Sequence, residues 1–222
     1  MIQTSMRIQR TVFCSVFLLG GILSVTAQPL AKLEPVGVEV DSRSEKGKQK
    51  EFRVIGQGGS QARIVDKTGK VIVEADPSSP IYDCEVSPDA KRLAIYYLGA
   101  ASRIMDIESR QTRDLPKKPP GEHKFNFDAW HWLDNDKLIS ISGDQKLDDH
   151  GRPVRHDDNV SRSRLYMYQL STKALTEISL PKGVDGAVFS IGRINKSGFV
   201  QLNIDNKNPE TVSSSWFKVR LP

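Results

Sequence analysis

The segment from Gly143 to Arg162 has the residue types best suited to chemistry. It holds five Asp and two of the four His residues, and its halves mirror each other as Asp148-Asp149-His150 and His156-Asp157-Asp158. Imidazole nitrogens and carboxylate oxygens together suit a divalent metal ion. The predicted metal ligands are Asp149, His150, His156 and Asp157. The alternative is a solvated loop whose Arg residues offset its acids, since no established metal-ligand spacing is present.

A second candidate site is the aromatic cluster Trp130, His131 and Trp132. On a strand, period-two alternation would point Phe127 and His131 to one face and both Trp residues to the other. One interpretation is an aromatic platform near a central channel that binds a peptide or a sugar. The other is packing between neighbouring sheets. His131 has no Ser or Cys partner in a recognisable triad, so we predict no catalytic residue.

Cys84 is the third reactive side chain, within Asp83-Cys84-Glu85-Val86 on a predicted strand. The flanking acids disfavour a thiolate, so we predict a buried and inert thiol.

Short β-strands must position these residues, because no convincing amphipathic helix is present and apolar residues alternate or come in short runs. The clearest unit is a strand at 81–86, a turn at 87–91 and strands at 92–98, 102–107 and 112–116. A similar pattern follows, with Leu93 and Leu138 at equivalent places 45 positions apart. Four repeats are predicted, at residues 36–76, 81–116, 125–181 and 187–222. Repeats of about 40–45 residues with four strands each are typical of propeller blades.

The predicted fold is all-β: one domain over residues 28–222, a β-propeller-like array of about four four-stranded antiparallel blades, closed or nearly closed. The last repeat lacks an obvious fourth strand, which an N-terminal strand near Val36 would supply, closing the ring. The alternative is an open array whose bare edges are covered by a second subunit in a homodimer.

Residues 87–95, followed by 103–107 and 112–115, resemble the WD40-like repeat of TolB-type periplasmic β-propellers. The turn of that family is usually Ser-Pro-Asp-Gly-Lys, and Ala90 stands here in place of its Gly. The match is good over residues 81–116 and fair over 125–181. Over 36–76 and 187–222 only the regular spacing of the predicted strands supports it. The resemblance implies a fold and not an activity.

Residues 1–27 have the pattern of a secretory signal peptide: Arg7 and Arg10, an apolar run from Val12 to Leu23, and small residues ending at Ala27. The alternative is an uncleaved membrane anchor. Cleavage would remove two Arg and lower the formal charge from +5 to +3. The remaining charge is spread among loops of mixed sign, so nucleic acid is not an expected partner.

These features favour an exported, non-enzymatic protein, periplasmic or extracellular, that binds a protein or peptide of the cell envelope. No cofactor and no membrane span in the processed chain are expected. Two alternatives stay open. One is a small metal-assisted hydrolase or lyase that uses the Asp/His-rich segment 143–162, and the other is a structural subunit of a larger envelope assembly.

Overall fold

The computed structural model describes residues 31–35, 52–98, 100–154, 160–195, 197–205 and 212–220. These residues form fifteen β-strands and no α-helix, so the chain is all-β as predicted. No helix in this part of the chain is long and apolar enough to cross a membrane. The predicted leader, residues 1–27, lies outside the described residues.

The strands form four antiparallel sheets that follow one another along the chain. The first sheet contains β2 (Phe52–Ile55), β3 (Arg63–Asp66) and β4 (Val71–Glu74). The second contains β5 (Ile81–Val86), β6 (Arg92–Tyr97), β7 (Arg103–Asp106) and β8 (Thr112–Asp114). The third contains β9 (His131–Trp132), β10 (Lys137–Gln145), β11 (Val160–Gln169) and β12 (Ala174–Ile178). The fourth contains β13 (Val188–Ile194), β14 (Phe199–Asp205), β15 (Val212–Arg220) and the N-terminal strand β1 (Lys32–Pro35).

An N-terminal strand therefore completes the last sheet, as the sequence predicts for the region near Val36. Strand β1 pairs antiparallel with β15, with Leu33 opposite Val219. The Leu33 N–H also donates to the Ser179 carbonyl just after β12, at 2.9 Å, so β1 bonds to both the third and the fourth sheets. The strand predicted at Val36–Val40 for the first repeat lies outside the described residues.

The turn between β5 and β6 shows how local chemistry sets the hairpins. The Ser87 hydroxyl donates to Asp89 Oδ1 at 2.6 Å and accepts the Arg92 N–H at 2.9 Å. Ala90 has φ 59°, in the left-handed region that favours glycine. That conformation explains why the resembled family usually has Gly at this position of the turn.

Three apolar clusters fill the spaces between successive sheets. Successive residues of β6 belong to two different clusters: Leu93 packs towards the first sheet and Ala94 towards the third. In the third sheet, Leu138 packs towards the second and Ile139 towards the fourth. Burial of both faces explains why β6 and β10 read as continuous apolar runs. Among the described residues, no corresponding cluster joins the fourth sheet to the first.

The hairpin of β10 and β11 is longer than predicted. We expected strands at 137–142 and 163–170, but pairing continues to Gln145 opposite Val160. Asp144, inside the segment 143–162, accepts from Arg162 Nε at 2.6 Å and Arg164 Nε at 2.9 Å, and it also pairs with Lys124. Part of the predicted loop is therefore strand, since these ion pairs let the charged residues continue the ladder.

Candidate functional site

The edge strands β5 and β9 meet at a small, shallow hollow at the junction of the second and third sheets. We call it the β5–β9 hollow. The lining residues that matter for its chemistry are Asp83, Cys84, Glu85, Tyr96, Ser102 and His131. Asp83 is exposed and the others range from half-buried to buried, so the hollow is open to solvent on one side.

Glu85 binds the two sheets together at this hollow. Its carboxylate Oε2 lies 2.9 Å from His131 Nδ1, and its Oε1 accepts the Trp132 backbone N–H at 3.1 Å. The Trp132 indole N–H donates to the Glu85 carbonyl at 3.0 Å. Three contacts from one residue thus fix β9 against β5 and orient the imidazole.

The imidazole of His131 lies in a negative environment. Burial alone would lower the pKa of His131, but the hydrogen bond to Glu85 and its charge act in the opposite direction. The charges of Asp128 and Asp83 add to this effect, and the pKa of His131 lies above its ordinary value. The hollow therefore favours positive charge.

Cys84 has the inert character that the sequence predicts. It is a free cysteine, and burial, with smaller contributions from the charges of Asp83 and Glu85, raises its pKa to about 12. A thiol in this state is protonated at neutral pH and is a poor nucleophile.

A β-bulge shapes the outer rim of the hollow. The register of β5 against β6 shifts between Ile81 and Asp83, which leaves Tyr82 as the extra residue of the bulge. Tyr82 is 44% exposed, and its ring meets the edge of Tyr96 with centroids 5.7 Å apart. Bulges commonly redirect a side chain beside a functional site.

The structure separates the members of the predicted aromatic cluster. Trp130 and Trp132 are each 3% exposed and pack between the second and third sheets, so the sheet-packing interpretation holds for both indoles. Trp130 and His131 both line the hollow, and of these two only His131 has a partly accessible side chain, 34% exposed. The predicted alternation fails for Phe127, whose ring packs against that of Trp130 with centroids 4.7 Å apart, whereas both Trp side chains are buried in one cluster that does not include His131.

Two of the predicted metal ligands, Asp149 and His150, do not line this hollow. Asp149 and His150 are exposed near the end of the β10–β11 hairpin, and His156 and Asp157 lie outside the described residues. Arg152 pairs with Asp148 at 3.2 Å and so offsets an acid of the segment, as the alternative interpretation expects. No group of three His, Cys, Asp or Glu side chains suited to a metal ion occurs in the described part of the chain. The metal site stays a prediction.

Sequence reasoning missed Glu85, Tyr96 and Ser102 as lining residues of a site. A signal for Glu85 was present, because Glu85 and His131 are 46 positions apart, close to the repeat length. They are equivalent residues of successive repeats: Glu85 pairs with Ala94 and His131 with Ile139, each opposite the apolar second strand of its sheet. No comparable pattern marked Ser102.

Comparison with known proteins finds no matching family model and no matching curated protein. Among solved structures, the chain is similar to the β-propeller domain of Cps50 (Swd1) from Myceliophteria thermophila. The identity is 14% and the TM-score 0.44, and the match covers 76% of this chain and 54% of that one. It is also similar to an oligogalacturonate lyase from Vibrio parahaemolyticus, with 12% identity and a TM-score of 0.40. That match covers 78% of this chain and 63% of the lyase. A third similar structure is a chain of the mitotic checkpoint complex, with 11% identity and a TM-score of 0.32. That match covers 95% of this chain and 88% of the other. The chain spans less than two thirds of the first two proteins.

Proposed function

We propose that the protein is an exported, non-enzymatic scaffold of β-propeller-like architecture that binds a protein or peptide of the cell envelope. The observation that carries the proposal is the β5–β9 hollow. It is open to solvent on one side, held by the three Glu85 contacts and lined by the buried indole of Trp130. A preformed concave site in which polar groups converge on an apolar wall is the usual form of a binding pocket.

The chemistry of the hollow favours binding over catalysis. Its imidazole is bonded to a carboxylate, and its thiol is held in the protonated form by burial and two acids. A protonated thiol is a poor nucleophile, and among the described residues no hydroxyl or thiol is hydrogen-bonded to the imidazole for it to activate.

The architecture that we propose is a four-blade array, closed or nearly closed, of the TolB-like type. Its support is the repeat length, the apolar packing between successive sheets, and the pairing of β1 with β15, which joins the two ends of the chain in one sheet. Export rests on the leader pattern of residues 1–27. N-terminal sequencing of the protein recovered outside the cytoplasm should begin at Gln28, and an intact Met1 would contradict export by a cleaved leader.

Site-specific photo-cross-linking tests the binding surface. Benzoylphenylalanine is placed at Tyr82, 44% exposed beside the hollow, or at the matched control Leu147, 40% exposed on the β10–β11 hairpin. Irradiation of cells that naturally carry the protein should yield one discrete adduct from position 82 and none from 147. Adducts of equal yield at both positions, or none at either, would overturn the proposed surface.

A further inference from the structure

We propose that the β5–β9 hollow takes a cationic side chain of the partner, the ammonium of a lysine or the guanidinium of an arginine. This inference rests on the proposed function, because it assigns the chemistry that the binding surface recognises. It is carried by a buried hydroxyl in the hollow and by the sign of the charges around it.

The buried hydroxyl belongs to Ser102. Five serines are almost fully buried in the described structure: Ser87, Ser102, Ser140, Ser142 and Ser163. Four of them make side-chain hydrogen bonds to backbone or side-chain groups. Ser102, at 6% exposure, is the exception, since its hydroxyl has no hydrogen-bond partner among the described residues. Buried hydroxyls in native proteins are nearly always paired, so a group that enters the hollow would supply the missing partner.

The charges around the hollow define that group. Asp83 and Glu85 line it, Asp128 is close enough to raise the pKa of His131, and no Lys or Arg is among the described lining residues. Asp83 and Asp128 each use one carboxylate oxygen to accept a backbone N–H, at 2.7 and 2.9 Å. Their second oxygens have no hydrogen bond within the described part of the chain. Because Glu85 is paired with His131, the negative charge available to a ligand comes from Asp83 and Asp128, and the hollow offers their second oxygens as acceptors.

Ammonium and guanidinium groups match this set, because both carry a positive charge and only donors. The Ser102 hydroxyl can accept one donor and the Asp83 carboxylate a second. The alkyl stem of a lysine or arginine would pack on Ala129 and the Tyr96 ring at the wall of the hollow. An acidic side chain would meet like charges. A divalent ion would find no group of three suitable ligands among the described residues.

The test uses the processed chain, residues 28–222, and four blocked tripeptides, N-acetyl-Gly-X-Gly-amide with X as arginine, lysine, norleucine or glutamate. Titrations at pH 8 are followed by amide chemical shifts. The arginine or lysine peptide should give saturable shifts at Asp83–Glu85, Ser102 and Ala129–His131. Comparison of the affinities of the arginine and lysine peptides shows whether guanidinium or ammonium is preferred. The proposal would be overturned if the norleucine or glutamate peptide shifted the same amides as strongly as the cationic peptides do. It would also be overturned if neither cationic peptide gave saturable shifts.

Variants locate the interaction. Ser102→Ala and Asp83→Asn should each weaken cation binding at least threefold, whereas Asp66→Asn, which alters a carboxylate in the turn after β3, should leave it unchanged. Wild-type affinity in both hollow variants would contradict the assignment. If Ser102→Ala fails to fold, Asp83→Asn decides. Partner capture from position 82 together with failed peptide binding would refute the cationic ligand and leave the proposed function standing. Failure of both would refute both.

Discussion

Replacing Glu85 with Gln should loosen the contact between the second and third sheets. The wild-type carboxylate accepts from both His131 and the Trp132 backbone. A hydrogen bond to a charged group contributes about 1 kcal/mol more than a neutral one, which gives about 2 kcal/mol for two bonds. The carboxylate is 30% exposed and the imidazole 34%, so solvent screening reduces the expected loss to about 1–1.5 kcal/mol.

The loss should depend on pH in a defined direction. The pKa of His131 in the folded protein lies above its ordinary value of 6.5, because the contacts and charges of the nearby acids outweigh burial. Its contribution to stability is therefore fully present below pH 6 and is lost as pH rises through the folded-state pKa. The groups that face this imidazole are Glu85 and Asp83 on β5, Asp128 before β9, and Tyr96 on β6. The difference between wild type and variant should be largest near pH 6 and smaller at pH 9.

Urea unfolding followed by tryptophan fluorescence at pH 6 and pH 9 measures this difference. Glu74→Gln, which removes an exposed carboxylate at the end of β4, is the matched control and should change the free energy of unfolding by less than about 0.5 kcal/mol. NMR titration of His131 should show a lower pKa in Glu85→Gln than in wild type. Equal stability of the two proteins at pH 6, or a difference that grows towards pH 9, would refute the reasoning.

Three further perturbations test the packing and the thiol. Leu33→Ala removes a side chain 3% exposed in the core beneath β1 and should lower the free energy of unfolding by about 2–4 kcal/mol, whereas exposed Lys32→Ala should leave the urea midpoint nearly unchanged. The Ser163 hydroxyl accepts the Phe189 N–H at 3.0 Å and donates to the Phe189 carbonyl at 3.1 Å. Ser163→Ala removes both bonds and should lower the free energy of unfolding by about 1–3 kcal/mol in the same assay. In a chain cleaved after Ala27 as proposed, Cys84 is the sole cysteine, and in the folded protein it should react with iodoacetamide at pH 8 far more slowly than glutathione does. In urea its rate should be similar to that of glutathione. Fast labelling of the folded chain would contradict its protonated state.

Local patterns predicted the parts of this fold that local chemistry determines. The turn at Ser87–Lys91, the all-β content and the inert thiol of Cys84 follow from residue type and alternation. The alternation rule failed before β9, because residues there do not form a regular strand. The Asp128 N–H bonds the Ile141 carbonyl at 2.9 Å, while only His131 and Trp132 pair as a strand.

The binding hollow was harder to predict, because it is made where two repeats meet. Its central contact, between Glu85 and His131, depends on how successive sheets are stacked, which alternation within one strand does not determine. Only comparison of equivalent repeat positions points to the pair. That the Ser102 hydroxyl has no partner among the described residues is visible only once burial and hydrogen bonds are compared among the serines.

The pairing of β1 with β15 also has a consequence for the timing of folding. Arg220 donates to Glu34 across a separation of 186 residues, so the last sheet is complete only once β1 has docked on β15, a strand made much later. Until then, Leu33 and the cluster beneath it lack their cover, and the edge of β15 is open to any other strand. Closing so long a loop is slow compared with forming local hairpins. The last sheet should therefore be the last to acquire protection from hydrogen exchange during refolding, and a chain interrupted before β15 would keep β1 without its native partner.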